Sequence, residues 1–343
     1  MSPASPPTAE AQRWLGRAEQ AGIHRLALPT PFLVGRVNCY LIEDQPLTLV
    51  DTGPNSGKAL DELERGLRAL GHSIEELELI VITHQHMDHL GLLEILARRS
   101  GAEVAALDLL ASYLEHFKAN ARADDDFASA IMAQHGVPAD VISALSSVGA
   151  SFRAFGSSGQ VTRPLRDGED LELGGRTLRV LYRPGHSPSD TVLWDRERGL
   201  ALAGDHLLPH ISSNPLISRP LDPGAPPGRP QALRRYIDSM RATRELPIEL
   251  VLPGHGDPFT DHVALIDERL RMHERRADKL LRMLSPDPLT AYEMAVQMWS
   301  NAAVTQAYLT ISEVLGHMDL LVARGDVAEV AEGPLTRFAA LSG

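Results

Sequence analysis

Between residues 84 and 89 the chain carries His84, His86, Asp88 and His89, in the run Thr83-His84-Gln85-His86-Met87-Asp88-His89. Three imidazoles and a carboxylate in so short a stretch are costly to crowd together unless something orders and neutralises them, and a divalent metal does both. In extended backbone, side chains two apart share a face. His84 and His86 can therefore grip one ion while Asp88 and His89 turn toward a second. Histidine and carboxylate donors without a thiolate suit Zn²⁺, and they also suit Fe or Mn. Two such ions about 3.5–4 Å apart would clamp a water and lower its pKa to about 7, which makes a bridging hydroxide available as a nucleophile.

The elements that must hold these residues can be read from the flanking patterns. Leu77-Glu78-Leu79-Ile80-Val81-Ile82 is an apolar, strand-like run, so the histidines fall on the loop at its C-terminal end. Three later runs end the same way. Residues 176–182 lead into Gly185-His186-Ser187, 200–203 into Gly204-Asp205-His206, and 249–252 into Gly254-His255-Gly256. Earlier, strands are expected at 25–28, 34–42 and 47–50, the last ending in Asp51-Thr52-Gly53. Helical spacing marks 11–21, 59–70, 90–99, 231–246 and 261–284, and a further strand is read at 102–107. Alternating strands and helices place helices over sheet faces.

Residues 108–153 interrupt that alternation with apolar side chains at helical spacing, too many residues for a plain connection. They form a helical insertion, read either as surface packing or as a cap whose Phe117, Phe127, Met132, Phe152 and Phe155 shape an apolar substrate pocket. Residues 207–230 are rich in Pro and Ser and read as an irregular loop at the rim. Ser285-Pro286-Asp287-Pro288 is a break taken as a domain boundary. The expected organisation is a tail and short helix at 1–23, with residues 1–10 disordered, a catalytic domain at 24–284, and a small domain at 285–343 of three helices and a hairpin, resembling a winged helix.

Bulk properties set limits. The 343 residues, 43% of them hydrophobic, suffice for one large α/β domain with a small appendage. A net charge of −12 argues against a broad phosphate-binding face. The single cysteine, Cys39, forbids an intrachain disulfide and reads as a buried inert thiol, which fits a cytoplasmic location. No stretch reaches the roughly 18 consecutive apolar residues of a spanning helix, and no export signal or membrane contact is expected.

In this order, Asp51-Thr52-Gly53, His84-Gln85-His86-Met87-Asp88-His89, Gly185-His186-Ser187, Gly204-Asp205-His206 and Gly254-His255-Gly256 resemble the signature of the metallo-β-lactamase-fold hydrolases, over roughly residues 24–262. The resemblance implies an α/β fold, a four-layer αββα sandwich with the metals at one edge of two sheets. It further implies that His84, His86 and His186 hold the first ion, Asp88, His89 and His255 the second, and that Asp205 bridges them. Aspartate at the bridging position is similar to the glyoxalase II, lactonase and nuclease branches. Asp51 is assigned an orienting role behind the ligands. Asp88 is also a candidate to move a proton to or from the reacting water. His206 and His210 fall outside the pattern and read as surface or loop histidines, and His24, His72, His116, His135, His262, His273 and His317 have no spacing that demands a role.

The leading function is thus metal-dependent hydrolysis of a small-molecule ester, thioester or lactone. One alternative is an endoribonuclease or phosphodiesterase, since lactamase-like cores joined to winged helices also resemble such enzymes. The charge of residues 291–343, two basic against six acidic, disfavours an RNA grip. The C-terminal domain is instead expected to serve packing or homodimerisation. The other alternative is a persulfide dioxygenase, in which a single iron would sit on His84, His186 and Asp205.

Overall fold

Residues 8–341, apart from 223, 226, 227 and 286, are described by a computed structural model. Most of the tail expected to be disordered, and Pro286 of the proposed boundary, lie outside them. The chain begins with α1 (Ala9–Gln20), capped by the Thr8 side chain, then β1 (Ile23–Leu28), β2 (Val37–Ile42) and β3 (Thr48–Val50). Next come α2 (Gly57–Ala69), β4 (Leu79–Val81), α3 (Met87–Leu90), α4 (Leu93–Ser100) and β5 (Glu103–Leu107). The insertion forms α5 (Ala111–Glu115), α6 (Phe117–Gln134) and α7 (Ala139–Phe152). After it run β6 (Arg163–Leu165), β7 (Asp170–Glu172), β8 (Thr177–Tyr182), β9 (Thr191–Asp195), β10 (Leu200–Gly204), α8 (Ala232–Arg244), β11 (Leu250–Pro253) and α9 (His262–Met283). The C-terminal part holds β12 (Leu289–Thr290), α10 (Ala291–Trp299), α11 (Ala302–Thr305), α12 (Ala307–Arg324), β13 (Val327–Glu332) and β14 (Leu335–Ala340).

Two sheets follow from strand alternation. One has the order β1-β2-β3-β4-β5-β6 and the other β11-β10-β9-β8-β7. Along β2, Cys39 and Leu41 point toward a cluster containing Leu63 and Leu67 of α2, whereas Tyr40 and Ile42 point into the space between the sheets. Ile80 and Val81 divide in the same way on β4, as do Leu202 and Ala201 on β10, with Ala201 facing Tyr236 and Met240 of α8. Both faces of both sheets are therefore covered, which gives the αββα sandwich. Cys39 is fully buried, and burial raises its thiol pKa well above the usual range, with Asp51 and Asp88 adding to the effect.

Strand direction then gathers the site. β3 and β4 are parallel, β10 and β11 are parallel, and β8 is antiparallel to β9, which is antiparallel to β10. Asp51, His84, His186, Asp205 and His255 all follow the C-terminal ends of these strands, at one edge of the sandwich.

A third sheet, β12-β14-β13, packs with α10 and α12. Its core is shared with the insertion. Ile131, Met132 and Val137 join Met294, Ile311, Leu315 and Phe338 in one apolar cluster, with Leu280 of α9. His135 is buried in the same region, 6.0 Å from the Phe338 ring and nearly parallel to it, and neither ring nitrogen meets a partner among the described residues. Burial, aided by the Arg229 guanidinium, holds its pKa down at about 3. An unfolded histidine takes a proton below about pH 6.5, which the native ring refuses, so this contribution to stability is intact above pH 6.5 and is lost as pH falls toward 3. At about 1.4 kcal/mol per pH unit the loss at pH 5 is about 2 kcal/mol. Urea unfolding of His135→Phe should accordingly show a fall in stability between pH 7 and pH 5 that is smaller than wild type by about that amount. Parallel pH profiles would show that His135 does not titrate in this way.

Candidate metal centre

Each imidazole near the sheet edge is held by the nitrogen that faces away from the centre. His84 Nδ1 donates to Thr83 Oγ1 (3.0 Å), His89 Nδ1 to Asp51 Oδ2 (2.8 Å), His186 Nδ1 to the Asn214 carbonyl (3.2 Å) and His255 Nδ1 to the Arg36 carbonyl (2.8 Å). That orients the rings and directs four Nε2 atoms inward, the arrangement metal-binding histidines adopt. His86 turns Nδ1 inward instead, 3.1 Å from His84 Nε2 and 3.0 Å from His186 Nε2.

Asp51 anchors the arrangement. It follows β3 with φ of +59°, a left-handed conformation that aspartate tolerates better than most residues. Its carboxylate accepts from the Thr83 amide (2.9 Å) and the Thr83 hydroxyl (2.8 Å) as well as from His89, tying the end of β3 to the histidine run. The loop bearing His255 is pinned by Asn38, whose side-chain amide donates to the carbonyls of Pro253 (2.9 Å) and Gly256 (2.8 Å). Gly254 lies against Asp205 and His89, where a Cβ would collide with the carboxylate and approach His89 Cε1 to 2.9 Å. Only glycine admits that approach.

The donors form two adjoining groups: His84, His86, His186 and Asp205, then Asp88, His89 and His255. Asp205 reaches both. Its Oδ1 lies 3.5 Å from His89 Nε2, and its Oδ2 lies 3.5 Å from His186 Nε2 and 3.4 Å from His255 Nε2. Asp88 Oδ2 is 3.3 Å from His255 Nε2. All seven residues expected to act as ligands are therefore brought together, with Asp51 directly behind them.

The electrostatics call for cations. Burial holds His84 well below its usual pKa and His86 at about 3, with neighbouring imidazoles adding to both shifts, so these rings present lone pairs. Burial would raise Asp205, but the His255 and His89 imidazoles outweigh it and keep the carboxylate ionised. Burial opposes protonation of His255, yet Asp205 and Asp88 push its pKa up to about 10, a measure of the negative potential at this end. Among the described residues Asp51, Asp88 and Asp205 pair with histidines alone and with no Lys or Arg. His89 Nε2 and Asp205 Oδ1 are buried without hydrogen-bond partners. Neutral His84 and His86 rings, ionised carboxylates that draw positive charge onto His89 and His255, and orphaned donor atoms fit divalent metal ions.

Three sequence readings change here. His206 is not a surface histidine: it is fully buried, its Nε2 meets Thr243 Oγ1 at 2.9 Å, and burial with the Arg183 charge lowers its pKa to about 3. His210 is exposed, as expected of a loop histidine. His273 and His317, which had no role, meet at 3.2 Å beside Glu313. His317 donates to the Glu313 carbonyl (2.6 Å) and the Glu313 carboxylate is ion-paired with Arg276, so this group is neutralised from within the protein. Of the aromatic cap residues, Phe117, Phe127 and Phe152 line the cavity over the donors. Met132 is instead drawn into the C-terminal core, and Phe155 packs against Phe32 and Phe152. Thr83, Asn38, Asn214 and the Arg36 carbonyl were not anticipated.

Fold and donor set together define a metal-dependent class, and the chain belongs to the metallo-β-lactamase superfamily, which its residues 33–255 match. It is 33% identical over 313 residues to the probable metallo-hydrolase YqjP of Bacillus subtilis, covering 91% of this chain and 96% of that one. Its fold superposes on the metallo-β-lactamase family protein TTHA1429 of Thermus thermophilus with a TM-score of 0.76 at 26% identity, covering 93% and 99% of the two chains. A β-lactamase domain protein from Burkholderia ambifaria gives 0.73 at 26% identity, with 93% and 92% covered. The chain is thus similar along nearly its whole length to metallo-hydrolase relatives.

Proposed function

We propose that the protein is a binuclear metal-dependent hydrolase of small esters, thioesters or lactones, with Zn²⁺ as the expected metal. One observation carries the reading: Asp205 reaches both donor groups, its Oδ2 lying between His186 of one and His255 of the other while its Oδ1 faces His89. In this assignment His84, His86 and His186 would hold one ion, Asp88, His89 and His255 the other, and Asp205 would serve both. When bound, such a pair supplies a water acidified to near neutrality and polarisation of the acyl oxygen. Asp88 and Asp205 line the cavity, and Asp88 is placed to accept a proton there and pass it to the leaving atom. The net reaction adds the elements of water across the acyl C–O or C–S bond: OH to the carbonyl carbon, H to the departing oxygen or sulfur. Aspartate at the bridging position supports assigning the chain to the glyoxalase II and thioesterase-like branch, and we read α10–α12 with the third sheet as its winged-helix-like appendage. The single buried cysteine suits a cytoplasmic enzyme.

The test is a panel of p-nitrophenyl esters, acyl thioesters, lactones and an RNA oligonucleotide offered to the metal-loaded protein. Turnover of acyl substrates that stops on chelation and returns with zinc supports the proposal. Cleavage of RNA alone, or an inert panel with iron-dependent oxygen uptake on a persulfide, contradicts it.

A further inference from the structure

The donor groups open into a cavity of about 540 Å³, a size usual for small-molecule sites. Away from the donors its walls come from four parts of the chain: Phe32 and Val34 before β2, Phe117 and Phe127 of α6 with Phe152 of α7, residues between 208 and 221, and Tyr308 and Leu309 at the start of α12. The C-terminal segment is tied to the site itself. Asn214 Nδ2 donates to the Leu309 carbonyl (3.0 Å), while the Asn214 carbonyl accepts from His186. Tyr308 Oη donates to the Ile217 carbonyl.

Two features of this cavity bear on what it holds. First, its charges away from the metal ligands cancel in pairs. Arg219 Nε donates to Asp124 Oδ1 (2.9 Å), Arg153 is ion-paired with Asp125, and Tyr113 Oη donates to Asp124 Oδ2 (2.9 Å). Each arginine already has a carboxylate, so a charged acyl group would meet no uncommitted cation on these walls. Second, the apolar surface continues to the mouth, where Val34, Ile211 and Leu309 remain 37%, 46% and 38% exposed. Exposed apolar side chains gathered at one opening mark an apolar ligand more than they mark solvation. Polar atoms that are buried without hydrogen-bond partners gather on one stretch of this lining, Ser212 Oγ, Ser213 Oγ and Asn214 Oδ1, next to the loop that holds His186. The cavity thus offers uncommitted polar atoms beside His186, while its other walls are apolar or carry charges already paired.

Building on the hydrolase reading, we propose that the acyl part of the substrate is an uncharged, apolar chain of medium length, and that Leu309 and Phe152 select it. Each methylene buried against these walls gains about 0.8 kcal/mol, or roughly a fourfold rise in kcat/KM. The zinc-loaded full-length protein is assayed with p-nitrophenyl esters from acetyl to octanoyl, and binding is read separately from the thermal shift produced by octanoate against acetate. The expected result is a kcat/KM that climbs about fourfold per methylene over the first several carbons, with stabilisation by octanoate and not by acetate. Leu309→Asp, at a partly exposed position that tolerates charge, should cut the octanoyl-to-acetyl ratio about tenfold, and Phe152→Ala should lower it as well. A flat or falling chain-length profile, or an unchanged ratio in both variants, overturns this inference while leaving the hydrolase reading in place. Octanoate binding with every acyl substrate inert overturns the hydrolase reading and supports the apolar cleft. Neither binding nor turnover overturns both.

Discussion

Asp205→Asn is expected to lower kcat/KM by about a thousandfold or more and to bring bound metal to one ion per chain or fewer. The amide keeps the volume of the carboxylate but cannot offer an anionic oxygen to both donor groups, and it leaves His89, His186 and His255 facing a neutral neighbour. The control is Asp51→Asn. Asp51 touches His89 and Thr83 without facing the other donors, and loss of such an outer partner typically costs about 10- to 100-fold in metal affinity or activity. A clear gap between the two variants, read by elemental analysis and by turnover at saturating zinc, is the expected outcome. If Asp205→Asn were no worse than Asp51→Asn, Asp205 would not bridge.

Asp88→Asn separates holding metal from moving protons. Asp88 is buried, its Oδ2 lies against His255, and it lines the substrate cavity. Burial tends to raise its pKa, but the imidazoles of His89 and His255 prevail and hold it below the usual carboxylate range, so it is ionised at neutral pH and able to accept a proton. The asparagine variant retains an oxygen donor but no basic site. Its turnover should fall about 10²- to 10⁴-fold, the usual contribution of a positioned acid–base group, with most of the metal retained. Metal retention with near-normal turnover would remove Asp88 from the proton path, and metal loss in step with activity would make it a ligand alone.

Much of this was visible in the sequence because the deciding patterns are local. The unbroken apolar run Cys39-Tyr40-Leu41-Ile42 is what a strand buried on both faces requires, and the similar run at 79–81 forms β4, parallel to β3, so that β3 and β4 carry their site residues to one edge. What escaped was set by distance or by backbone. β6 was not anticipated: it is a three-residue strand containing Pro164, and it occupies the edge of its sheet, where proline is tolerated. His206 lies beside Asp205 in sequence, but its burial depends on Thr243 and Tyr236 of α8. The carbonyls of Arg36 and Asn214 that orient two imidazoles come from irregular loops, where no side-chain pattern reports them. The union of the insertion with the C-terminal region likewise joins Met132 to Phe338, far apart in the chain. Periodicity in either segment alone shows an apolar face without showing its partner.

The measurement that bears most directly on the central claim is the metal content of the purified, zinc-reconstituted protein, determined per chain alongside acyl ester turnover as zinc is titrated into the chelated form. Two ions per chain, with turnover rising as the second site fills, is the result these donor groups predict. Saturation of turnover at one ion per chain, or activity that survives complete chelation, would contradict a two-metal hydrolase.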